Sequence, residues 1–279
     1  MHIKNYELRI LGNCYDAISF GSGSQNLVLV PGLGDGMATV KGKALMGSIL
    51  YSRFARKYRV TVISRKRQLI PQDDTRSMAK ELAYCMEALG IAKAHVVGVS
   101  QGGMIAQHLA ADRPDLIDRL VLVSTVPKAN DMIVRNIDRW IGLARKGSFT
   151  GLMIDTTEKA HPEKKLKKLR PFYTYMSAPL RKMDVDRFCI MAKACATHDA
   201  TDRLDQITAP TLIIGGGVDR TLGAEGSHLL HRYIGGSRLK IYPDLSHAVY
   251  EDSPDFPRTV LAFLAGEDDE EDDSRFFEA

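Results

Sequence analysis

The sequence lacks the features that mark several broad classes of protein. Its four cysteines, Cys14, Cys85, Cys189 and Cys195, are scattered through 279 residues without a close pair. That spacing excludes a cysteine-based zinc site and a redox CxxC, and the thiols read as buried and unpaired. No segment approaches the roughly 20 apolar residues of a membrane-spanning helix. The opening residues, MHIKNYELRI, lack the basic flank and apolar run of a secretory signal. A cytoplasmic protein with no membrane span is expected.

Nucleic-acid recognition motifs are also missing, although the formal charge is +4. Residues 266–279 (GEDDEEDDSRFFEA) hold eight acids and one arginine, a net of −7, and subtracting that from +4 leaves +11 for the rest. The basic excess reads as a solvated surface rather than a nucleic-acid site. The tail has too little apolar content to fold and is expected to be disordered. What remains, in a chain 44% hydrophobic and 26% charged, is one globular domain with a sizeable core and room for an inserted subdomain.

Periodicity gives the organisation. Glu7–Ile10 and Tyr15–Phe20 alternate as an opening hairpin. Continuous apolar runs then follow at Leu27–Val30, Val60–Ile63, His95–Val99 and Leu120–Val123, separated by helical segments near Lys43–Tyr58, Thr75–Leu89 and Gly103–Asp112. Strands apolar on both sides and spaced by helices imply a parallel sheet covered on both faces. From Pro127 to Leu204 no strand pattern is found. Ile133, Ile137, Trp140, Ile141 and Ala144, and again Val185, Phe188, Cys189, Ala192 and Cys195, recur at helical spacing and read as core stripes. The rhythm resumes with Pro210–Ile214, a helix near Ala224–Tyr233, a strand at Leu239–Tyr242 and a last helix near Asp255–Leu264.

One motif carries chemistry. Gly98-Val99-Ser100-Gln101-Gly102 closes an apolar strand and opens a helix. A serine hydroxyl must be held exposed beside a base to act as a nucleophile, and a sharp strand-to-helix turn flanked by glycines does this. A tetrahedral oxyanion needs backbone N–H donors. Gln101 is one candidate, and Leu33, in the loop Pro31-Gly32-Leu33-Gly34-Asp35-Gly36, is the other. Of eight histidines, only His247 follows a strand of the resumed pattern and falls in a loop, Asp244–Ala248. His228 and His231, three apart on a helix, read as a solvated face rather than a metal site. The acid candidate is Asp219, in the Gly-rich loop directly after Leu212–Ile214, and Asp131 is the alternative.

With VLVPGLGDG at 28–36, GVSQGG at 98–103, APTLIIGGGVD at 209–219 and DLSHAVYED at 244–252, the chain resembles the α/β-hydrolase superfamily from about Tyr6 to Leu264. The resemblance implies an eight-stranded, mostly parallel sheet flanked by helices, with a helical cap insertion shaping the acyl or leaving-group pocket, and no cofactor or metal. The division expected is a core of 1–126 and 208–265, a cap of 127–207 and a tail of 266–279.

Two departures stand out. Pro31-Gly32 replaces the His-Gly of many relatives, which removes a side chain that often steadies the oxyanion loop. Ser64-Arg65-Lys66-Arg67-Gln68 stands where relatives often carry an Asp and a glycine-rich loop. With Lys41, these basic residues are candidates to flank the entrance and favour an acidic substrate. The expected activity is hydrolysis of a small or medium carboxylic ester, a small-molecule acyl substrate, through an acyl-enzyme. Lactonase, thioesterase, amidase and carbon-carbon hydrolase chemistries use the same residues, and a hydrolase-fold receptor is the alternative of another class.

Overall fold

The structure, a computed structural model, describes residues 2–267. The expectation of disorder beyond Glu267 lies outside the described residues. The strands are β1 (His2–Ile10), β2 (Asn13–Gly21), β3 (Asn26–Val30), β4 (Arg59–Ile63), β5 (Ala94–Val99), β6 (Ile117–Val123), β7 (Thr211–Gly216) and β8 (Arg238–Tyr242). They form one sheet in the order β1-β2-β4-β3-β5-β6-β7-β8. β1, β2 and β4 pair antiparallel, and every other neighbour pairs parallel.

The opening hairpin is longer than its alternating core suggests. Leu11 and Gly12 both take positive φ, 49° and 79°, which is a two-residue turn whose twist matches the strands it joins. It pairs His2 with Gly21 through to Ile10 with Asn13 without a break.

The core-flanking helices are α1 (Ala44–Leu50), α2 (Ser52–Ala55), α3 (Thr75–Ala88) and α4 (Gln101–Asp112). α3 starts at a capping box in which Asp74 accepts from Ser77 N–H. Between β6 and β7 come α5 (Asp131–Arg145), α6 (Phe149–Ala160), α7 (Glu163–Leu169), α8 (Tyr173–Met176) and α9 (Val185–Ala196); α10 (Glu225–Tyr233), α11 (Val249–Asp252) and α12 (Phe256–Ala265) complete the chain. The single helix expected over 43–58 is two, because the chain turns at Tyr51, whose ring stacks on Phe20 at 6.3 Å.

The apolar runs are explained by two-sided burial. Val28, Val30, Val96, Leu120, Leu122 and Ile213 pack on one face with α3, α4 and α10. Their sequence neighbours Leu27, Leu29, Val97, Val121, Val123, Leu212 and Ile214 pack on the other with α2 and α12. A period of two that buries both sides leaves no polar position to betray it.

The helical insert over 131–196 has a core of its own, in which Ile133, Ile137 and Trp140 of α5 meet Leu152 of α6 and Phe188, Cys189 and Cys195 of α9. Its two stems run antiparallel and meet at an isolated bridge between Lys128 and Asp199, a pairing that the sequence reading did not anticipate. Cys85, Cys189 and Cys195 are buried, Cys14 is half-buried, and all four are free thiols.

A histidine pair sits under the stem. His198 Nδ1 lies 2.9 Å from Thr75 Oγ1, and its ring meets His108 edge-on at 5.3 Å. Burial, aided by His108, pushes His198 down to about 3. Because the folded value is below the ordinary one near 6.5, the unfolded chain binds the extra proton between those limits. Stability should therefore fall as pH drops from about 6.5 toward 3, by up to about 1.4 kcal/mol per pH unit from this residue. Urea midpoints across that range should show a shallower slope in His198→Gln, and identical slopes would refute the assignment.

Candidate active site

Ser100 occupies the turn between β5 and α4 at φ 54° and ψ −120°, a region costly for any side chain. The surroundings enforce it. Ser100 N–H donates to Val123 O at 2.9 Å, and Thr125 Oγ1 donates to Ser100 O at 2.9 Å. A Cβ at Gly102 would lie 1.9 Å from Val30 O, and one at Gly98 would lie 2.5 Å from Gly102 O. Both glycines are there so that α4 can press on the ends of β3 and β5.

Asp219 and His247 come from the loops after β7 and β8. These loops touch backbone to backbone: a Cβ at Gly216 would meet Ser246 O at 2.2 Å, and one at Gly217 would meet Pro243 O at 2.6 Å. The result is a 2.8 Å hydrogen bond between His247 Nδ1 and Asp219 Oδ2, with both residues buried. The other carboxylate oxygen accepts from Thr221 N–H at 2.7 Å and Leu222 N–H at 3.0 Å. A carboxylate so fixed can hold only one ring orientation, with Nδ1–H toward Asp219 and Nε2 turned away. Among the described residues no hydrogen bond joins Ser100 Oγ to the imidazole. Such contacts are commonly long without substrate and tighten when it binds.

Asp131, the alternative acid, is the exposed first residue of α5 and has no such partner. His108 and His198 form the pair under the stem, His161 Nδ1 is 2.8 Å from Asp252, and His231 Nδ1 is 2.9 Å from Ser237 Oγ.

The loop after β3 passes over the serine. A Cβ at Gly32 would lie 3.3 Å from Ser100 Cβ, so this backbone and the elbow are in contact. Leu33 opens a short 3-10 turn over Leu33–Gly36 and Gln101 opens α4. First-turn N–H groups have no intrahelical acceptor and are available to a ligand.

Behind this loop lies a buried charge cluster that sequence reasoning missed. Asp35 Oδ2 accepts from Arg65 N–H at 3.0 Å and from Arg187 Nη2 of α9 at 2.8 Å. Arg187 Nη1 also donates to Asp35 O, and Nε donates to Lys66 O at 3.1 Å. Arg65 Nη2 donates to Pro31 O and, at 3.3 Å, to Gln101 Oε1. Gln101 Nε2 reaches back to Met191 O of α9 at 2.6 Å. Burial pulls the Arg65 guanidinium below its ordinary value, against the opposing pull of Asp35. The Gly-Asp-Gly of the loop was visible in sequence. Its partner Arg187, on an otherwise apolar helical stripe 152 residues away, offered only the oddity of an arginine beside Phe188 and Cys189.

The basic run after β4 therefore differs from its expected role at the entrance. Arg65 is buried in the cluster. Lys66 binds Asp73 at 2.8 Å and Glu81 at 2.7 Å, and Arg67 binds Asp16 and Glu7, both at 2.6 Å. A strand end in a tight fold pulls neighbouring cations onto the nearest carboxylates; only Lys41 of the four stays exposed.

The insert also grips the histidine loop. Ser246 Oγ donates to Lys159 O at 2.6 Å, Ala248 N–H to Ala160 O at 2.9 Å, and Arg220 Nη2 to the carbonyls of Glu158 and His161 at 2.6 and 2.7 Å. Both ends of the site thus rest on α6 and α9.

Comparison with known proteins agrees with this architecture. A family model described as the alpha/beta hydrolase fold matches residues 51–254. A 2-hydroxy-6-oxononadienedioate/2-hydroxy-6-oxononatrienedioate hydrolase of Klebsiella pneumoniae is 26% identical over 274 residues, covering 88% of each chain. A pimeloyl-acyl-carrier-protein methyl ester esterase of Xanthomonas campestris is 26% identical over 213 residues, 71% of this chain and 82% of that one. The crystal structure of an alpha/beta hydrolase enzyme from a Medee basin deep-sea metagenome library superposes with a TM-score of 0.80 at 22% identity, covering 95% of this chain and 99% of that one. With the sheet order, the strand-to-helix serine turn and a family match over most of its length, the chain belongs to the α/β-hydrolase fold family.

Proposed function

We propose that the protein is a serine hydrolase of small or medium carboxylic esters, with Ser100 as nucleophile, His247 as general base and Asp219 as the orienting acid. The observation that carries this reading is the 2.8 Å bond between His247 and Asp219, made by two separate loops that leave the same edge of the parallel sheet as a serine held at φ 54°. Ser100 Oγ attacks the substrate carbonyl carbon while His247 Nε2 takes its proton, and the carbonyl oxygen becomes an oxyanion received by the Leu33 and Gln101 amides. The intermediate collapses, the carbon–oxygen bond to the leaving group breaks, and the imidazolium protonates the departing alkoxide. Water, deprotonated by the same imidazole, then attacks the acyl-enzyme and releases the acid and Ser100. Asp219 stabilises the imidazolium in both steps. In this reading residues 127–207 act as the cap over the acyl pocket.

A neutral ester is favoured over a dicarboxylate by the fate of the basic run, since Lys66 and Arg67 each already bind two carboxylates. The relatives named above act on a methyl ester and on a dienedioate, so the discriminating panel contains aryl and methyl esters, a lactone, a thioester and a 2-hydroxy-6-oxo-dienoate.

Ser100→Ala should lower turnover of the best panel substrate by about 10⁴-fold or more while the protein stays folded. Asp219→Asn should lower kcat by about 10⁴ through the wrong ring tautomer. Steady-state rates decide both, and wild-type turnover in Ser100→Ala would sink the reading.

Asp35 is proposed to set the oxyanion loop, because it neutralises the guanidiniums of Arg65, which holds Pro31 O and the Gln101 side chain, and of Arg187, which holds the Asp35 carbonyl. Asp35→Ala should cost about 3–5 kcal/mol of stability in urea unfolding, the penalty for leaving buried charge uncompensated. At temperatures where it remains folded, kcat should drop with KM little changed, since the loop acts on the transition state.

A further inference from the structure

Helix α1 presents its residues in the reverse of the usual order. Its inward face is Ala44, Gly47 and Ser48, and a Cβ at Gly47 would lie 2.7 Å from the Phe20 ring. Its outward face carries Leu45, Met46, Ile49 and Leu50, which are 50–69% exposed. Spaced one, three and one apart, the four share a single stripe of the helix. Large apolar side chains grouped in water contribute nothing to the stability of the fold, and a contiguous patch of this kind marks a surface that a partner covers.

Charge selects the partner. Residues 41–57, KGKALMGSILYSRFARK, contain five basic side chains and no acid. Lys41, Arg53, Arg56 and Lys57 are exposed. Across a twofold contact with a second copy, this segment would set its cations against an identical set, which is repulsive. An apolar stripe rimmed by cations fits instead a helix that lies in the headgroup region of a bilayer containing acidic lipid. Among the described residues no helix is long and apolar enough to cross a membrane, so such contact would be interfacial.

We propose that α1 and the basic segment around it form a docking surface for an anionic lipid bilayer. The surface adjoins the candidate site. α1 follows the loop after β3, and Arg53, two residues beyond Tyr51, donates to Pro254 O at 3.5 Å, in the segment that follows His247. Docking would bring the edge that carries these loops to the lipid. The inference stands independently of the ester chemistry.

Co-sedimentation of the full chain with vesicles of phosphatidylcholine alone, or of phosphatidylcholine with phosphatidylglycerol, tests it. Binding is expected to the phosphatidylglycerol vesicles, weakening about tenfold or more at high salt. The double variants Leu45→Gln/Ile49→Gln and Arg56→Gln/Lys57→Gln should each lose at least about tenfold in binding. Both alter side chains directed to solvent, so thermal unfolding and rates on a soluble ester should match wild type. Absence of binding at low salt, or equal binding by both variants, would overturn the proposal. So would a concentration-dependent dimer in sedimentation equilibrium that Leu45→Gln/Ile49→Gln dissolves, because the covering partner would then be a second copy.

Discussion

At Gly102 an added side-chain carbon would stand 1.9 Å from the Val30 carbonyl, and at Gly216 one would stand 2.2 Å from that of Ser246. These two contacts, backbone on backbone with nothing between, fix the distances on which every feature of the candidate site depends. The first wedges α4 against the sheet and forces Ser100 into its strained turn. The second brings the loops after β7 and β8 together, so that two residues 28 apart in the chain share a short hydrogen bond. Parallel strands make this possible, because their carboxyl ends all emerge at one edge, where loops of independent length converge.

The sequence was most legible where physics leaves few options. Parallel strands buried on both faces must be apolar throughout, so β3 to β8 are legible to within two residues, except that β6 starts three residues earlier, at Ile117, where Asp118 and Arg119 interrupt the apolar run. The elbow was legible because its glycines answer a steric demand of the turn itself. Asp219 and His247 could be placed on loops by chain order, whereas their mutual distance follows from the Gly216 and Gly217 contacts, which no local pattern displays. The hairpin extends beyond its alternating residues because the turn at Leu11-Gly12, not hydrophobicity, sets its length. The break at Tyr51 within 43–58 is invisible to periodicity because its partner, Phe20, is a tertiary one.

Charge was the least legible property. Arg65, Lys66 and Arg67 look like a basic patch when read along the chain, yet each is turned onto carboxylates supplied by β1, β2, α3, the loop before α3 or the loop after β3. A count of charges cannot distinguish a solvated cation from a paired one, and pairing here depends on residues up to 152 positions away. The same cluster lies behind the loop after β3, where a carboxylate inside the loop is bound by two arginines outside it.

The insert supplies Arg187 and the Met191 carbonyl to one end of the site, and the Lys159 and Ala160 carbonyls to the other. It is therefore not a modular lid that evolution or a designer could exchange at its stems alone. A chimera carrying a foreign insert would inherit a stranded carboxylate at one end and an untethered histidine loop at the other, unless the graft reproduced both sets of contacts. A foreign α7 would also cut the ion pairs that Lys165 makes with Glu251 and Asp252 of α11, just beyond His247.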